Sequence, residues 1–417
     1  MTIDYSTENT LAKAIDTVSN TTSMAGRMEV ALLTGGIDKP YVSGLAVALA
    51  SQKVCLEVVG SDEIDSPEMH TTHKLNFLNL FGSKAPTSLA SKVLRVLRYY
   101  ARLVRYAATS EPRVFHILWN NKFELFDRTL LMLYYKLLGK KIVFTAHNVN
   151  AGKRDGNDSL LNRITLRTQY RLSDHIFVHT EKMKSELMQE FGVREVAVSV
   201  IPFGINNSVP NTDLTSSEAK RRLGIGDGER TILFFGALRP YKGLEYLVDG
   251  FLRLAAKRPE YRLIIAGEPR KEAERYLAEI LQRIEGDVNR ARVIQKLRYI
   301  PDDETELYFK AADVLALPYT HVFQSGVLFL AYSFGLPVLA TDVGSVREQV
   351  IEGKTGFLCK PRDPVDLASV VEGYFASDLF RALIHRRREI REWANGRNSW
   401  ALVGESTCRV YAELMSR

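Results

Sequence analysis

Two successive runs of short, evenly apolar segments, each segment followed by a stretch with helical spacing, constrain this chain more than any other feature. The first run has strand-like segments at Met28–Thr34, Val54–Val59, Arg113–Trp119, Lys141–Ala146, His175–His179 and Ala197–Ile201. The second has them at Thr231–Phe235, Arg262–Ala266, Ala291–Gln295, Val314–Leu317 and Pro337–Thr341. Such segments lack the apolar–polar alternation of a sheet with one wet face. They need cover on both sides, so each run predicts a parallel, doubly wound α/β sheet. Gly204–Glu229, between the runs, is rich in Asn, Ser, Thr, Asp and Gly and reads as a linker with a short helix. The expected organisation is a polar leader over 1–27, one α/β domain over 28–205 and a second over 206–395. Ligands of such sheets sit beyond the carboxyl ends of the strands, so two facing sheets place the site in the cleft between them.

Composition removes several function classes. No run approaches the ~20 apolar residues of a membrane-spanning helix. The opening Met1–Gly26 has no apolar core and does not read as a signal peptide. The three cysteines, Cys55, Cys359 and Cys408, are odd in number and far apart, which points to reduced thiols and a cytoplasmic setting. They cannot build a cysteine-only zinc site, and no His/Cys cluster supports one. Lys and Arg number 56 against 49 Asp and Glu, a net +7 that predicts an anionic partner. Nucleic acid is not that partner, because no helix-turn-helix or aromatic RNA-binding signature is present. There is no phosphate-binding Walker sequence and no Asp-x-Asp. Gly224-Ile-Gly226-Asp-Gly228 precedes a strand, so it cannot open a helix toward a dinucleotide.

Two strand–loop–helix passages carry the chemistry. In Phe235-Gly-Ala-Leu-Arg239-Pro-Tyr-Lys242-Gly243, Arg239 and Lys242 stand at the carboxyl edge of a sheet beside a helix start. Positive side chains and helix dipole add there, and a diphosphate is the natural ligand. In Leu317-Pro-Tyr-Thr-His-Val-Phe-Gln324-Ser325-Gly326-Val327, the amides of Ser325, Gly326 and Val327 open a second helix and form a second anion cradle.

The ordered set of motifs resembles the retaining glycosyltransferases of the GT-B fold, specifically family 4. The matching pieces are Gly236–Gly243, Ala266-Gly267-Glu268-Pro269, Tyr299-Ile-Pro-Asp-Asp-Glu, Ala311–Pro318, Gly335-Leu-Pro337-Val and Gly353-Lys-Thr-Gly356-Phe. Upstream, Thr145-Ala-His147-Asn148-Val149 and Val200–Asn206 match as well. The resemblance implies two Rossmann-like domains and transfer of a sugar from a UDP- or GDP-linked donor, with retention and with neither cofactor nor required metal. It implies that Arg239 and Lys242 contact the diphosphate, that Arg298 and Tyr299 lie near the base, and that Gly35 and Gly36 close over phosphate and sugar. It places His147 against the donor sugar as a hydrogen-bond partner. It also implies that a helix over 396–417 returns to the first domain.

Two departures qualify this. The pair of glutamates usual in the family falls on Val322 and Leu330, and the usual Arg after the loop glycine falls on Ala237, with Arg239 two places on. Gln324 is the candidate replacement for contacts to donor hydroxyls. An inactive relative that binds nucleotide sugar or partners another glycosyltransferase is the alternative these departures raise.

Ser88–Ser110 has helical spacing with Lys92, Arg95, Arg98, Arg102 and Arg105 on one side and Val93, Leu97, Tyr100 and Val104 opposite. That pattern fits adsorption to an anionic membrane surface, which would make the enzyme peripheral on the inner face of the plasma membrane and its acceptor a lipid-linked or polysaccharide-precursor glycan. The same pattern also fits a helix packed by its apolar face.

Overall fold

In the computed structural model, which describes residues 28–36, 38–83, 88–205, 207, 209–322 and 324–416, the two apolar runs form two separate parallel sheets. The expected leader 1–27 and Asn206 lie outside the described residues. The first sheet has seven strands, β1 (Glu29–Leu33), β2 (Cys55–Gly60), β3 (Leu75–Asn79), β4 (Val114–Ile117), β5 (Lys141–Thr145), β6 (His175–Val178) and β7 (Val198–Val200), in the order β3-β2-β1-β4-β5-β6-β7. The second has six, β8 (Arg230–Phe235), β9 (Tyr261–Ala266), β10 (Val293–Lys296), β11 (Val314–Leu317), β12 (Val338–Thr341) and β13 (Gly356–Cys359), in the order β10-β9-β8-β11-β12-β13.

Strand direction explains the apolar runs. Val30, Ala31 and Leu32 are fully buried on successive residues, so both faces of β1 are covered. β3 and β13, which the apolar pattern did not predict, are both edge strands. β3 reads Leu-Asn-Phe-Leu-Asn and stays half-exposed, and β13 opens on a glycine. Each sheet reverses its strand order at one point, between β1 and β4 and between β8 and β11. The crevices that bind ligands in open α/β sheets lie beyond the carboxyl ends of those pairs.

The chain crosses between the halves twice, and the two crossings are bonded to each other. The Asn398 amide donates to the Phe203 carbonyl at 3.0 Å, and the Ile205 amide donates to the Asn398 carbonyl at 2.9 Å. After the second crossing, helix Trp400–Met415 lies on helix Lys39–Ser51 of the first half. Trp400 fits there because Gly44 and Gly204 have no side chain: a Cβ on either would come within 2.4 Å of the indole. Further along, the Tyr411 hydroxyl reaches buried His116 at 2.6 Å, and His116 also bonds Thr145.

Candidate active site

The two strand–loop–helix passages meet beyond the switch point of the second sheet. β8 is followed by Gly236, whose φ of +96° suits glycine, and then by a one-turn helix Pro240–Lys242. Gly243, at φ +65°, ends that turn and starts helix Leu244–Ala255. A Cβ on Gly236 would lie 2.9 Å from Lys242 Nζ and 3.4 Å from Val327 Cγ2, so the amine and the head of helix Gly326–Ser333 face the same spot. Ser325 does not cap that helix with its side chain, because its hydroxyl is engaged with Tyr319 at 3.1 Å. The Leu328 amide donates to the Ser325 carbonyl at 3.1 Å, and among the described residues no side chain caps the amides of Gly326 and Val327, which leaves those two for an external acceptor.

Lys242 is 7% exposed and no carboxylate pairs with it among the described residues. Burial, reinforced by the positive charges of Arg239 and Arg270, pulls its pKa down to about 8. Arg239 has only a loose partner, Glu272 at 3.7 Å, and Arg270 likewise has Glu268 at 3.6 Å. A buried ammonium among under-compensated cations is costly until an anion arrives. Gln324, two residues before helix Gly326–Ser333, has both amide atoms buried and, among the described residues, unpaired. Buried polar groups ordinarily have a partner, so an unpaired one invites a ligand.

Arg298 and Tyr299 lie beyond β10, two strands from β8 at the same carboxyl edge. The Arg298 guanidinium is held by Glu304, and the Tyr299 ring stands 65% exposed. Val322 and Leu330 are both buried as members of the second hydrophobic core, so apolar packing occupies the positions where the resemblance expects carboxylates.

Across the cleft, His147 follows β5 and stacks flat on Trp119, centroids 4.1 Å apart and planes within 3°. Tyr41 meets it edge-on. Its Nδ1 bonds His179 Nε2 at 3.2 Å, and His179 Nδ1 bonds the Ile201 carbonyl at 3.3 Å. Burial lowers the pKa of both rings, that of His179 to about 4, so both are neutral. The carbonyl can only accept, which assigns the tautomers in turn. His179 donates from Nδ1 and accepts at Nε2; His147 donates from Nδ1 and keeps a bare lone pair on Nε2. That Nε2 is buried and has no partner. It can accept a hydrogen bond from a hydroxyl. Trp119 and the orienting role of His179 were not visible in the sequence, where both simply close strand-like segments. Their only signal was a position just past a strand end.

Gly35 and Gly36 line a cavity of about 120 Å³ with Gly60, Tyr99, Asn120 and Lys122 at the switch point of the first sheet. Ser61 Oγ, on the same wall, is buried without a partner. One side is roofed by helix Leu89–Thr109 through Val96, Tyr99 and Tyr100. This helix corrects the expected amphipathic split. Tyr100 is buried, but Val93 and Leu97 are exposed at 53% and 57%, alongside exposed Leu89 and Leu94. The reason is that the helix joins the core of the first half only from Val96 onward. Nor are all five cations free: Arg95 and Arg102 donate to the carbonyls of Ser83 and Leu80. No helix among the described residues is long and apolar enough to cross a membrane.

Residues 40–209 match the family model for Glycosyltransferase Family 4, and residues 229–376 match that for Glycosyl transferases group 1. The chain belongs to glycosyltransferase family 4. Its curated relatives include the D-inositol 3-phosphate glycosyltransferases of Corynebacterium diphtheriae, 27% identical, and Corynebacterium jeikeium, 26% identical, each over 286 residues. Those alignments cover 65% of this chain and 65% and 66% of the relatives' lengths, so the chain spans just under two thirds of the relatives it matches. Among solved structures, Anabaena Alr3699/HepE in complex with UDP and glucose superposes with a TM-score of 0.71 at 18% identity, covering 93% of this chain and all of that one. Sucrose-phosphate synthase from Thermosynechococcus elongatus superposes with a TM-score of 0.73 at 18% identity, covering 94% and 100%. At such identities the structures establish the two-sheet GT-B fold.

Proposed function

We propose that the chain is a retaining glycosyltransferase that moves a sugar from a nucleotide-sugar donor to a lipid-linked or polysaccharide-precursor glycan. The observation that carries this reading is the buried, unpaired amine of Lys242 facing the open head of helix Gly326–Ser333. Negative charge builds on the leaving diphosphate as the glycosidic bond breaks, and donors fixed in advance around that position lower the barrier. Lys242, Arg239 and the amides from Ser325 to Val327 supply them. His147 Nε2 accepts from a sugar hydroxyl, and Gln324 offers one donor and one acceptor to the donor's hydroxyls. Gly35 and Gly36 let the backbone of the first half close over phosphate and sugar, and Arg298 and Tyr299 stand toward the base. The solved neighbours that carry UDP and UDP-glucose support a uridine donor as the first to test.

A panel of UDP, GDP and ADP with their sugar conjugates, read by thermal shift and by nucleotide release, tests the reading. A nucleotide at ~100 times its dissociation constant adds about 2.7 kcal/mol of stability. One base should stabilise the wild type and its sugar conjugate should turn over. A protein stabilised by a nucleotide but silent in turnover with every acceptor would favour the inactive-relative reading, which buried Val322 and Leu330 motivate.

The acceptor reading rests on helix Leu89–Thr109. Its first turns present Leu89, Val93, Leu94 and Leu97 together with Lys92 and Arg98, while Val96, Tyr99 and Tyr100 of the same helix line the cavity of the first half. Apolar side chains flanked by cations fit the surface of an anionic bilayer, each cation near the surface contributing ~1 kcal/mol. The wild type should float with vesicles containing phosphatidylglycerol and not with pure phosphatidylcholine. Leu94→Glu combined with Leu97→Glu should abolish flotation, and Lys92→Glu with Arg98→Glu should weaken it by at least tenfold. Flotation that ignores both lipid charge and these substitutions would contradict the assignment.

A further inference from the structure

We propose that Glu348 is a positioning residue for the transfer reaction: its carboxylate, carried on the second half, caps a helix of the first half and thereby sets where His147 stands relative to the diphosphate cradle. Only the kinetic arm of the test below rests on the transfer reading.

Helix Glu181–Phe191 must find acceptors for its first-turn amides. Its own Thr180 hydroxyl serves Met183 at 3.2 Å. The amides of Glu181 and Lys182 are served from across the cleft, donating to the two carboxylate oxygens of Glu348, each at 3.1 Å. A carboxylate is the preferred occupant of a helix N-terminus, and both bonds are charge-assisted. Two further bonds between the halves flank this cap. Thr180 Oγ1 meets Ser345 Oγ at 2.8 Å, both residues being 1% exposed, and Lys182 Nζ donates to the Gly344 carbonyl at 2.9 Å.

What makes the contact functional is what lies behind it on each side. On the first half, Thr180 directly follows His179, whose ring fixes the tautomer and angle of His147. On the second half, Ser345 and Glu348 follow β12. There the Thr341 hydroxyl donates to the Tyr319 carbonyl, and the Tyr319 hydroxyl bonds Ser325 at the head of helix Gly326–Ser333. The chain of contacts from imidazole to diphosphate cradle therefore runs through Glu348 and Ser345. A second link, the stack of Phe203 on Phe329 at 5.1 Å, belongs to the crossing near Asn398. That crossing joins the halves at one place and leaves rotation about it open. Glu348 supplies a second point, with a directional bond at each oxygen.

The test compares wild type, Glu348→Ala and Glu348→Gln by small-angle scattering, by UDP titration and by donor turnover. Glu348→Ala should enlarge the radius of gyration, leave UDP affinity within about twofold, since the cations and helix amides proposed to hold the diphosphate lie on the second half and Gly35 and Gly36 add only backbone cover, and lower kcat about tenfold. Glu348→Gln, which keeps one acceptor oxygen, should fall between and serves in place of Glu348→Ala if that variant does not fold. Unchanged scattering with unchanged kcat would overturn the proposal. So would a kcat loss matched by an equal loss of UDP affinity, which would assign Glu348 to the donor site itself. If the wild type turns over no donor, the transfer reading fails, and the scattering comparison alone decides whether Glu348 sets the spacing.

Discussion

Lys242→Ala is expected to lower kcat by about 100- to 1,000-fold, the range seen when one fixed donor to a developing negative charge is removed, with a smaller rise in the donor KM. The same residue makes a linked prediction about pH. In the folded protein without ligand its pKa is about 8, below the ~10.4 of a free lysine. Between those values the unfolded chain binds more protons than the folded one, so stability rises with pH through that window. Below about pH 8 the full penalty, at most about 3 kcal/mol, is present. Lys242→Met should therefore raise the thermal midpoint of the ligand-free protein at pH 7, with the difference from wild type shrinking as pH climbs to 10. On the proposed reading the nucleotide diphosphate binds the protonated amine, so wild-type affinity should fall as pH rises above about 8, while the Met variant shows no such slope. Equal catalytic efficiency in Lys242→Ala and wild type, or equal stability of the Met variant at pH 7, would contradict the role assigned to the amine.

Gly243→Ala should damage stability and turnover together. The residue sits at φ +65°, and a Cβ there would lie 2.0 Å from the Pro318 carbonyl oxygen. The left-handed backbone alone costs a residue with a side chain roughly 1–2 kcal/mol. The collision is with backbone, so the two loops that form the cradle, after β8 and after β11, must separate. A total of about 2–4 kcal/mol is expected, read as a fall in thermal midpoint of several degrees, with kcat reduced at least tenfold because Lys242 and Ser325 move apart. Gly228→Ala is the control: no atom lies within 4 Å of the Cβ it would add. Gly243→Ala with the midpoint and kcat of wild type would show that the loops do not depend on this contact.

Much of this architecture was written in local patterns, and the exceptions have physical causes. Strands covered on both faces announce themselves as apolar runs, so the central strands of both sheets were legible. The edge strands β7 and β10 were legible too, but β3, interrupted by Asn76 and Asn79, and β13, four residues opening on Gly356, carry no continuous apolar run. The cations of the β8 loop could be located by motif, but that Lys242 is buried and lacks a counter-charge depends on Gly236 and Val327 closing around it. His147 could be located too, whereas the direction of its lone pair depends on His179 and on the Ile201 carbonyl, contacts between strands that no spacing encodes. The exposure of Val93 and Leu97 was hidden for a related reason: helical periodicity gives the face but not where the neighbouring core ends. Glu348 reaches its partners across more than 160 residues of chain, and nothing near it in sequence marks it out.

The most direct test of the central claim is calorimetric titration of UDP into wild type and Lys242→Ala at pH 7, with GDP and ADP as alternatives should UDP be silent. The account predicts one saturable site for one of the three nucleotides, weakened at least tenfold by the substitution, a change of about 1.4 kcal/mol or more. Equal affinity in the two proteins, or no binding by any of the three, would contradict the placement of the donor diphosphate on Lys242 and the head of helix Gly326–Ser333.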